Sequence, residues 1–202
     1  QCFDKTPVIQ YLENRGLSVS LPDDLYYLEN CPDGHTHRPA MLAMIRAING
    51  EIISVHRTFL DNGYKASGTA KKLMSPLYPG TISGCAVRLS EGQKDALYLT
   101  EGIETGLAIR ELFADKNPTV WACISASGLA SVQIPPQYKM IYVMADKDKS
   151  ETGEKSAKKL EQRLIEENKT VHIALPTETI PDNKKSIDWL DVLLNKKGNY
   201  HE

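Results

Sequence analysis

The second half of the chain alternates short apolar runs with longer amphipathic segments. The apolar runs have the length and composition of buried strands, whereas the segments between them carry apolar residues at helical spacing. The predicted strands are 96–100, 119–125, 139–145 and 170–176, and the predicted helices are 103–115, 127–132, 152–168 and 186–198. This alternation predicts a doubly wound α/β domain, with a mostly parallel sheet covered by helices on both faces.

Strand-like segments and turn signals dominate the first half. Residues 4–15 predict a short helix that ends at Gly16. The dipeptide at 49–50, Asn-Gly, lies between apolar runs at 41–48 and 52–60 and predicts a β-hairpin. The other predictions are a turn-rich loop at 21–36, a turn at Asp61-Asn62-Gly63, an irregular basic segment at 64–81 and a strand at 85–89.

A polar, glycine-containing stretch at 91–95 separates the two patterns. We therefore expect a smaller β-rich α+β subdomain at 1–94 and the doubly wound domain at 95–202. Trp121 and Trp189 fall on a predicted strand and a predicted helix, so both are expected to lie in the core rather than to stack on bases.

Composition and charge narrow the class of protein. The 202 residues are 41% hydrophobic and 25% charged, which is typical of a globular protein. The formal net charge of −2 excludes a polycation, so binding of nucleic acid would need a local basic patch or metal ions. No apolar run approaches the roughly 20 residues that span a bilayer, and no signal peptide is recognisable, which predicts a cytoplasmic protein without membrane association. Because an initiator Met is lacking, we expect a fragment of a longer protein.

Cysteine usage also favours a reducing compartment, because the cysteines are too sparse for a disulfide framework. The four cysteines are Cys2, Cys31, Cys85 and Cys123. Cys31 lies close to His35 and His37, as a zinc ligand would, but a second ligand pair is missing. A polar turn is therefore the preferred interpretation of this segment.

Acidic residues follow three of the four predicted strands of the second half. Glu101 comes directly after the first strand of the second half, Asp146 and Asp148 come after the third, and Asp188 follows the fourth and its loop. Ligands of open α/β sheets bind beyond the carboxyl ends of the strands, and clustered carboxylates repel unless a proton or cation lies between them. Hard oxygen ligands favour Mg²⁺ or Mn²⁺ over zinc. The alternative is that each acid caps the helix that follows it.

Further polar residues are candidates for ligand contact. Glu104 lies one helical turn beyond Glu101 and would either orient a ligand or stabilise the helix N-terminus. His56 and Arg57 are neighbours on a predicted strand, so only one of them can face a groove, and Arg57 is preferred. The candidates for holding nucleic acid or nucleotide are Arg57, Lys65, Lys71, Lys72 and Arg88.

Two motifs carry a resemblance to a known family. EGIETG at 101–106 and ADKDKSETG at 145–153 resemble the Toprim domain, the metal-binding module of bacterial-type primases, type IA and II topoisomerases and certain nucleases. The finer resemblance is to the primase-like Toprim proteins of plasmids, phages and mobile elements. It is carried by HRTFLDNGYKA (56–66), SGCAVRL (83–89), EGIETGLA (101–108), WACISASGL (121–129) and DWLDVL (188–193).

The resemblance implies the catalytic core of a DNA primase, which makes short RNA primers on single-stranded DNA from ribonucleoside triphosphates. It implies that Glu101 is the acid/base residue and also contacts metal, and that Asp146 and Asp148 are metal ligands for Mg²⁺ or Mn²⁺. It further implies that Asp188 is an additional acid and that a helicase domain or protein is a partner. Lys147 and Lys149 depart from the expected pattern, since a smaller or polar residue is expected between or beside the two aspartates.

Other functions use similar residues. A Toprim nuclease would use the same acids with water as the attacking group. A non-catalytic nucleic-acid-binding module of a replication protein is a second alternative. A topoisomerase would need a DNA gate for which 202 residues leave no room. A response-regulator-like or phosphatase-like domain would give no reason for the long β-rich first half.

Overall fold

The framework of the protein is a pair of five-stranded sheets. The structure is a computed structural model that describes residues 5–76, 78, 81–92 and 94–198. Its strands are β1 (Leu25–Asp33), β2 (Thr36–Arg46), β3 (Ile52–Asp61), β4 (Tyr64–Lys65), β5 (Lys71–Leu73), β6 (Val87–Ser90), β7 (Ala96–Thr100), β8 (Val120–Ala122), β9 (Met140–Met144), β10 (Lys147–Asp148), β11 (Thr170–Ala174) and β12 (Ser186–Ile187). Its helices are α1 (Thr6–Asn14), α2 (Ile103–Leu112), α3 (Ala126–Ser131), α4 (Thr152–Glu166) and α5 (Trp189–Gly198), with a 3-10 turn at Ala114–Lys116.

The second sheet has the strand order β11-β9-β7-β8-β6 and is parallel except for β6. Helix α2 packs with α5, and α3 packs with α4. Leu107 and Leu190 share one apolar cluster, whereas Leu129 and Leu160 belong to another. The predicted α/β fold with helices on both faces is confirmed, and the parallel order brings the carboxyl ends of β7, β8 and β9 to one edge.

The first sheet is an antiparallel meander of β1, β2 and β3, with β4 and β5 both pairing with β3. The hairpin predicted around Asn49-Gly50 is confirmed, and Gly50 takes the positive φ of 88° that this turn requires. The predicted loop at 21–36 is wrong, because most of it forms β1. A bulge between Leu28 and Cys31 interrupts the alternation by which the strand would have been recognised.

Two further predictions need correction. Residues 64–81 are not wholly irregular, since they contain the short strands β4 and β5. The last helix begins at Trp189 rather than at Ser186, because Ser186 and Ile187 pair with Lys147 and Asp148 as a two-stranded antiparallel ladder. The chain just after β9 is therefore extended, and this fixes the direction of its side chains.

The two halves share a core. Tyr11 and Leu25 from the first half belong to the same buried cluster as Tyr98 and Leu107 from the second. Strand β6 precedes the expected boundary at 94/95 but pairs with β8 in the second sheet, and backbone hydrogen bonds of 2.8 and 3.0 Å join Arg46 to Ala86. The division of the chain into 1–94 and 95–202 stays a prediction.

The expectations about the tryptophans, the cysteines and membrane-spanning helices can be compared with the structure. Trp121 is buried as predicted, and Trp189 is half-buried against the core. Cys31, Cys85 and Cys123 are buried free thiols, whereas Cys2 lies outside the described residues. In the part of the chain that the structure describes, no helix is both long enough and apolar enough to cross a membrane.

Candidate active site

The sheet brings the acids of two strands to the same edge. Glu101 directly follows β7, and Asp146 lies two residues beyond Met144, where β9 ends. These strands are parallel neighbours in which Leu99 lies opposite Val143. Glu101 and Asp146 therefore emerge side by side from a buried part of the sheet, as the order of strands and acids in the sequence predicts.

The protonation of Asp146 reflects this crowding. Burial raises the pKa of Asp146 to about 7, with further contributions from the negative charges of Asp188, Glu101 and Asp148. Burial and the charge of Asp148 also raise the pKa of Glu101. Two carboxyl groups with raised pKa values at the carboxyl edge of a parallel sheet are typical of a site that binds a cation or transfers a proton.

Two carboxylate oxygens at this edge have no hydrogen-bond partner in the structure. They are Oε1 of Glu101 and Oδ1 of Asp146, and both atoms are buried. A buried carboxylate oxygen without a donor costs free energy, so its presence calls for a ligand, an ion or a bound proton.

Asp148 is held quite differently from Asp146. Its Oδ1 accepts hydrogen bonds from the amides of Ser150 (2.8 Å) and Thr152 (3.2 Å), and its Oδ2 accepts one from the amide of Gly153 (3.0 Å). Burial alone would raise its pKa, but these bonds and one from the Ser150 hydroxyl lower the pKa of Asp148 to about 2. Asp148 is thus ionised at neutral pH and caps the N-terminus of α4.

Asp188 directly precedes the last helix, α5. Its Oδ1 accepts a 3.0 Å hydrogen bond from the amide of Asp191, and its own amide donates to Asp191 Oδ2 at 3.2 Å. This reciprocal pair is a capping box in which aspartate replaces the usual glutamate. The capping alternative therefore applies to Asp188, whose charge nevertheless acts on Asp146.

Gly153 was not among the predicted site residues. A Cβ atom on it would lie 3.0 Å from Oε1 of Glu101 and 2.6 Å from the backbone oxygen of Asp146. Helix α4 thus approaches the acids so closely that only glycine fits. The signal in the sequence was the glycine in the first turn of an otherwise regular helix, where it costs helix stability.

The two lysines beside the aspartates point away from them. Since Lys147 and Asp148 form a strand, successive side chains leave on opposite faces. Lys147 donates a 2.7 Å hydrogen bond to the Glu178 backbone oxygen, and Lys149 donates one of 3.4 Å to that of Asp182. These lysines therefore tie down the loop that leads to β12.

The carboxylate oxygens at this edge are ligands of the kind that a divalent cation prefers. Glu101 and Asp146 provide unpartnered hard oxygens, and Asp148 and Asp188 add negative charge nearby. Among the described residues, no group of three or more His, Cys, Asp or Glu side chains is already arranged around a common point where a metal ion would lie. The same holds for Cys31 with His35 and His37.

Glu104 is the centre of a buried polar network. It accepts hydrogen bonds from the Tyr11 hydroxyl at 2.7 Å and from Lys71 at 3.0 Å, and Lys65 lies 3.6 Å away. Burial alone would raise the pKa of Glu104, but Lys71, Lys65 and the Tyr11 hydroxyl together lower it. Glu104 thus holds two lysines beside the acidic edge, and Lys71 is close enough to lower the pKa of Asp146 in turn. Sequence reasoning missed Tyr11, which is 93 residues away in the chain.

The other basic candidates fall into two places. Arg57 donates a 2.6 Å hydrogen bond to the Pro32 oxygen and lies 5.6 Å from the Phe59 ring centre, and Lys72 pairs with Asp33 over the same ring.

Arg88 lies apart from Arg57 and Lys72. It is on edge strand β6, where it bonds to the Ala47 oxygen at 3.1 Å and covers the Trp121 ring at 5.1 Å. His56 is buried, and burial with the charge of Lys71 lowers its pKa to about 4. The face of β3 that carries Arg57 is thus the more accessible one.

Comparison with known proteins agrees with this architecture. The family model described as Toprim domain matches residues 96–199, so the chain belongs to the Toprim domain family. A second model, described as a domain of unknown function (DUF7146), matches residues 1–89. No curated protein sequence matches the chain.

Solved structures with the same fold include several primases. The primase fragment of the bacteriophage T7 primase-helicase protein has a TM-score of 0.54 at 19% identity, over 94% of this chain and 66% of that one. The DnaG catalytic core has a TM-score of 0.57 at 14% identity, over 99% of this chain and 71% of that one. The DnaG primase catalytic domain bound to single-stranded DNA has a TM-score of 0.52 at 13% identity, over 97% and 72%. The chain thus has the fold of primase catalytic cores and spans about two thirds of the T7 fragment.

Proposed function

We propose that this chain is the catalytic core of a DNA primase, a nucleotidyltransferase that makes short RNA primers on single-stranded DNA. The observation that carries the proposal is the pair of unpartnered carboxylate oxygens of Glu101 and Asp146 at one edge of the sheet, within the fold that primase cores share. Template-directed polymerisation requires a 3′-hydroxyl to attack the α-phosphate of a nucleoside triphosphate so that pyrophosphate leaves, and the reacting groups must be held beside acids of this kind.

Each acid has its own part in the proposal. Asp146 would hold Mg²⁺ or Mn²⁺, with Glu101 beside it, and the bound ion would lower the pKa of the attacking hydroxyl and neutralise charge on the phosphates. Glu101 would accept the proton of the 3′-hydroxyl, because a raised pKa makes its carboxylate a stronger base. Asp148 stays ionised and supplies permanent negative charge, while it also holds the N-terminus of α4 in place. Asp188 contributes charge to the same edge.

The basic residues are proposed to hold the substrates. Lys65 and Lys71 lie beside Glu104 near the acidic edge, where they suit the phosphates of a ribonucleoside triphosphate. Arg57 and Lys72 form a separate basic group on the first sheet, where they suit the phosphates of single-stranded DNA, as does Arg88 on its edge strand. Similarity to a primase-helicase protein makes a helicase domain or protein the proposed partner.

The proposed division of labour follows the two patterns of the chain. Residues 95–202 would carry the chemistry, and residues 1–94 would hold the template and shield the site. The Toprim nuclease is the alternative that uses the same acids, because water could replace the 3′-hydroxyl as the attacking group. A non-catalytic binding module would use the basic residues alone.

The test is a primer-synthesis assay with single-stranded DNA, labelled ribonucleotides and Mg²⁺ or Mn²⁺. Asp146→Asn and Glu101→Gln should each lower synthesis at least 100-fold, whereas Glu166→Gln, an exposed carboxylate at the far end of α4, should leave it unchanged. Degradation of the template without primers would establish the nuclease instead. Binding of single-stranded DNA with neither reaction would favour the binding module.

A further inference from the structure

Two motif segments of the chain contribute no acid to the site described above. They are SGCAVRL at 83–89 and WACISASGL at 121–129, and both line one pocket of about 380 Å³. The other lining residues are Ile45 on β2, Leu73 on β5, Ile82 and Ser131, so the pocket lies between the two sheets. Its size is sufficient for a small organic molecule.

The pocket adjoins the acidic edge. Its inner wall contains Cys123 and Ile124, which directly follow β8. The amide of Cys123 donates a 2.8 Å hydrogen bond to the oxygen of Thr100, the residue before Glu101. The pocket is therefore one strand away from Glu101, on the same carboxyl edge of the parallel sheet.

Its lining is apolar and hydroxylic rather than charged. The apolar part comes from side chains such as Ile45, Leu73 and Ile82, and the rim carries hydroxyls such as those of Ser83 and Ser127. Among the described residues that line the pocket, none has a charged side chain. Such a surface suits an uncharged, flat molecule with polar edges and does not suit a phosphate.

The backbone at the inner wall is strained. Ile124 has a φ of +71°, a conformation that a β-branched residue rarely adopts. The next turn holds it there, because the Ser125 hydroxyl accepts a 3.1 Å hydrogen bond from the Gly128 amide. A Cβ on Gly128 would stand 2.0 Å from the Cys123 oxygen, so this packing requires glycine. Strain that the surroundings enforce in this way is typical of ligand sites.

One strand connects the pocket to the basic residues beside the acids. Lys71 and Leu73 are two apart on β5, so their side chains leave the same face about 7 Å apart. Lys71 bonds to Glu104 and acts on Asp146, whereas Leu73 lines the pocket. A molecule with an anionic end and a neutral end would thus find a matching surface along this strand.

The geometry points to this pocket as the site for the base and ribose of a ribonucleotide whose phosphates lie toward Lys71 and the acidic edge. The inference rests on the proposed function and adds where the neutral part of the substrate binds. The hydroxyl rim offers donors and acceptors to the base edges and the ribose, while the aliphatic side chains cover the base face. The mixture of hydroxyls, each both donor and acceptor, would accept more than one base.

The kinetic test uses two adjacent residues with the same exposure. Leu73 and Met74 are each 45% exposed, but only Leu73 lines the pocket. Leu73→Glu should raise the KM for ribonucleotides at least tenfold with kcat little changed, since contact with the base is present both before and during the reaction. Met74→Glu should change KM less than twofold, and both variants should unfold at nearly the same temperature. Equal KM values for the two variants would overturn the inference while leaving primer synthesis intact.

A binding test separates the pocket from the chemistry. Adenosine, which has no phosphate, is titrated into the isotopically labelled protein and observed by nuclear magnetic resonance. The amides of Ser83, Ile124 and Ser127 should shift, and inorganic tripolyphosphate should leave them in place while it shifts Lys71. If adenosine binds here but no primers are made, the pocket assignment stands and the proposed function fails. If adenosine shifts none of these amides, the pocket assignment is overturned.

Discussion

Oε1 of Glu101 lies 3.0 Å from the position that a Cβ atom would take on Gly153. Gly153→Ala would therefore press on the proposed acid/base group and, at 2.6 Å, on the backbone oxygen of Asp146. We expect primer synthesis to fall about 100-fold, as is usual when a catalytic group moves by about 1 Å. Overpacking should lower the free energy of unfolding by about 1–3 kcal/mol, measured by urea denaturation.

The control for this substitution is Gly198→Ala. Within the described chain, no atom beyond its neighbours lies within 4 Å of a Cβ at Gly198. This variant should match the parent chain in both activity and stability. Full activity of Gly153→Ala would show that the close approach of α4 has no role in holding Glu101.

Asp146→Asn should make the protein more stable at pH 8 in the absence of divalent metal. The folded pKa of about 7 is above the unfolded value, so the folded state binds the proton more tightly and loses stability as pH rises from about 4 to about 7. Because asparagine does not ionise, Asp146→Asn should raise the free energy of unfolding by about 2–4 kcal/mol at pH 8 and leave it almost unchanged at pH 4. Chemical denaturation at the two pH values measures the difference.

The addition of Mg²⁺ provides a second test of the Asp146→Asn variant. If Asp146 binds the ion, millimolar Mg²⁺ should raise the stability of the parent chain at pH 8 and leave Asp146→Asn unchanged. Asp182→Asn, in an exposed loop, serves as the control and should respond to Mg²⁺ as the parent does. An equal response of all three proteins would remove Asp146 from the proposed metal site.

Ionised Asp148 should stabilise the folded protein, whereas ionised Asp146 destabilises it. Its folded pKa of about 2 is below the unfolded value, so its contribution is complete above about pH 5 and is lost as pH falls toward 2. Asp148→Ala removes the acceptor for the Ser150, Thr152 and Gly153 amides and should cost about 1–2 kcal/mol at pH 7. Thermal unfolding from pH 7 to pH 2 should show the variant and the parent converging in acid. A constant gap would contradict the assignment.

Tyr11→Phe tests the buried network around Glu104. The substitution keeps the ring in the core and removes the 2.7 Å hydrogen bond, which should lower the free energy of unfolding by about 1–3 kcal/mol. Tyr64→Phe alters an exposed ring, 61% accessible, and should have no measurable effect. If the two variants were equally stable, Glu104 would not depend on Tyr11.

Lys72→Ala tests the proposed template contact. It should weaken binding of single-stranded DNA and lower the salt dependence of that binding by about one counterion. Lys158→Ala is the matched control, since Lys158 also pairs with a carboxylate but lies on the solvent face of α4. Fluorescence anisotropy at several salt concentrations measures both, and identical slopes would place the template elsewhere.

The sequence by itself determined the order of elements in the second half and the acids that end two of its strands. Apolar runs such as 96–100 and 139–145 are recognisable because a strand buried on both faces needs continuous apolar side chains. Glu101 and Asp146 directly follow these two runs, so parallel pairing of the two strands is enough to bring both acids to one edge of the sheet. The resemblance to the Toprim domain rested on the same residues.

Only the tertiary structure decided which hydrogen bonds each carboxylate accepts. Asp148 and Asp146 are two residues apart, yet the first accepts three amides of the α4 N-terminus and the second has a buried oxygen without a donor. The path of the chain between them, fixed by pairing with Ser186 and Ile187, sets this difference. Contacts such as that between Tyr11 and Glu104 join residues 93 apart, and no local pattern encodes them because they depend on how two separate elements pack.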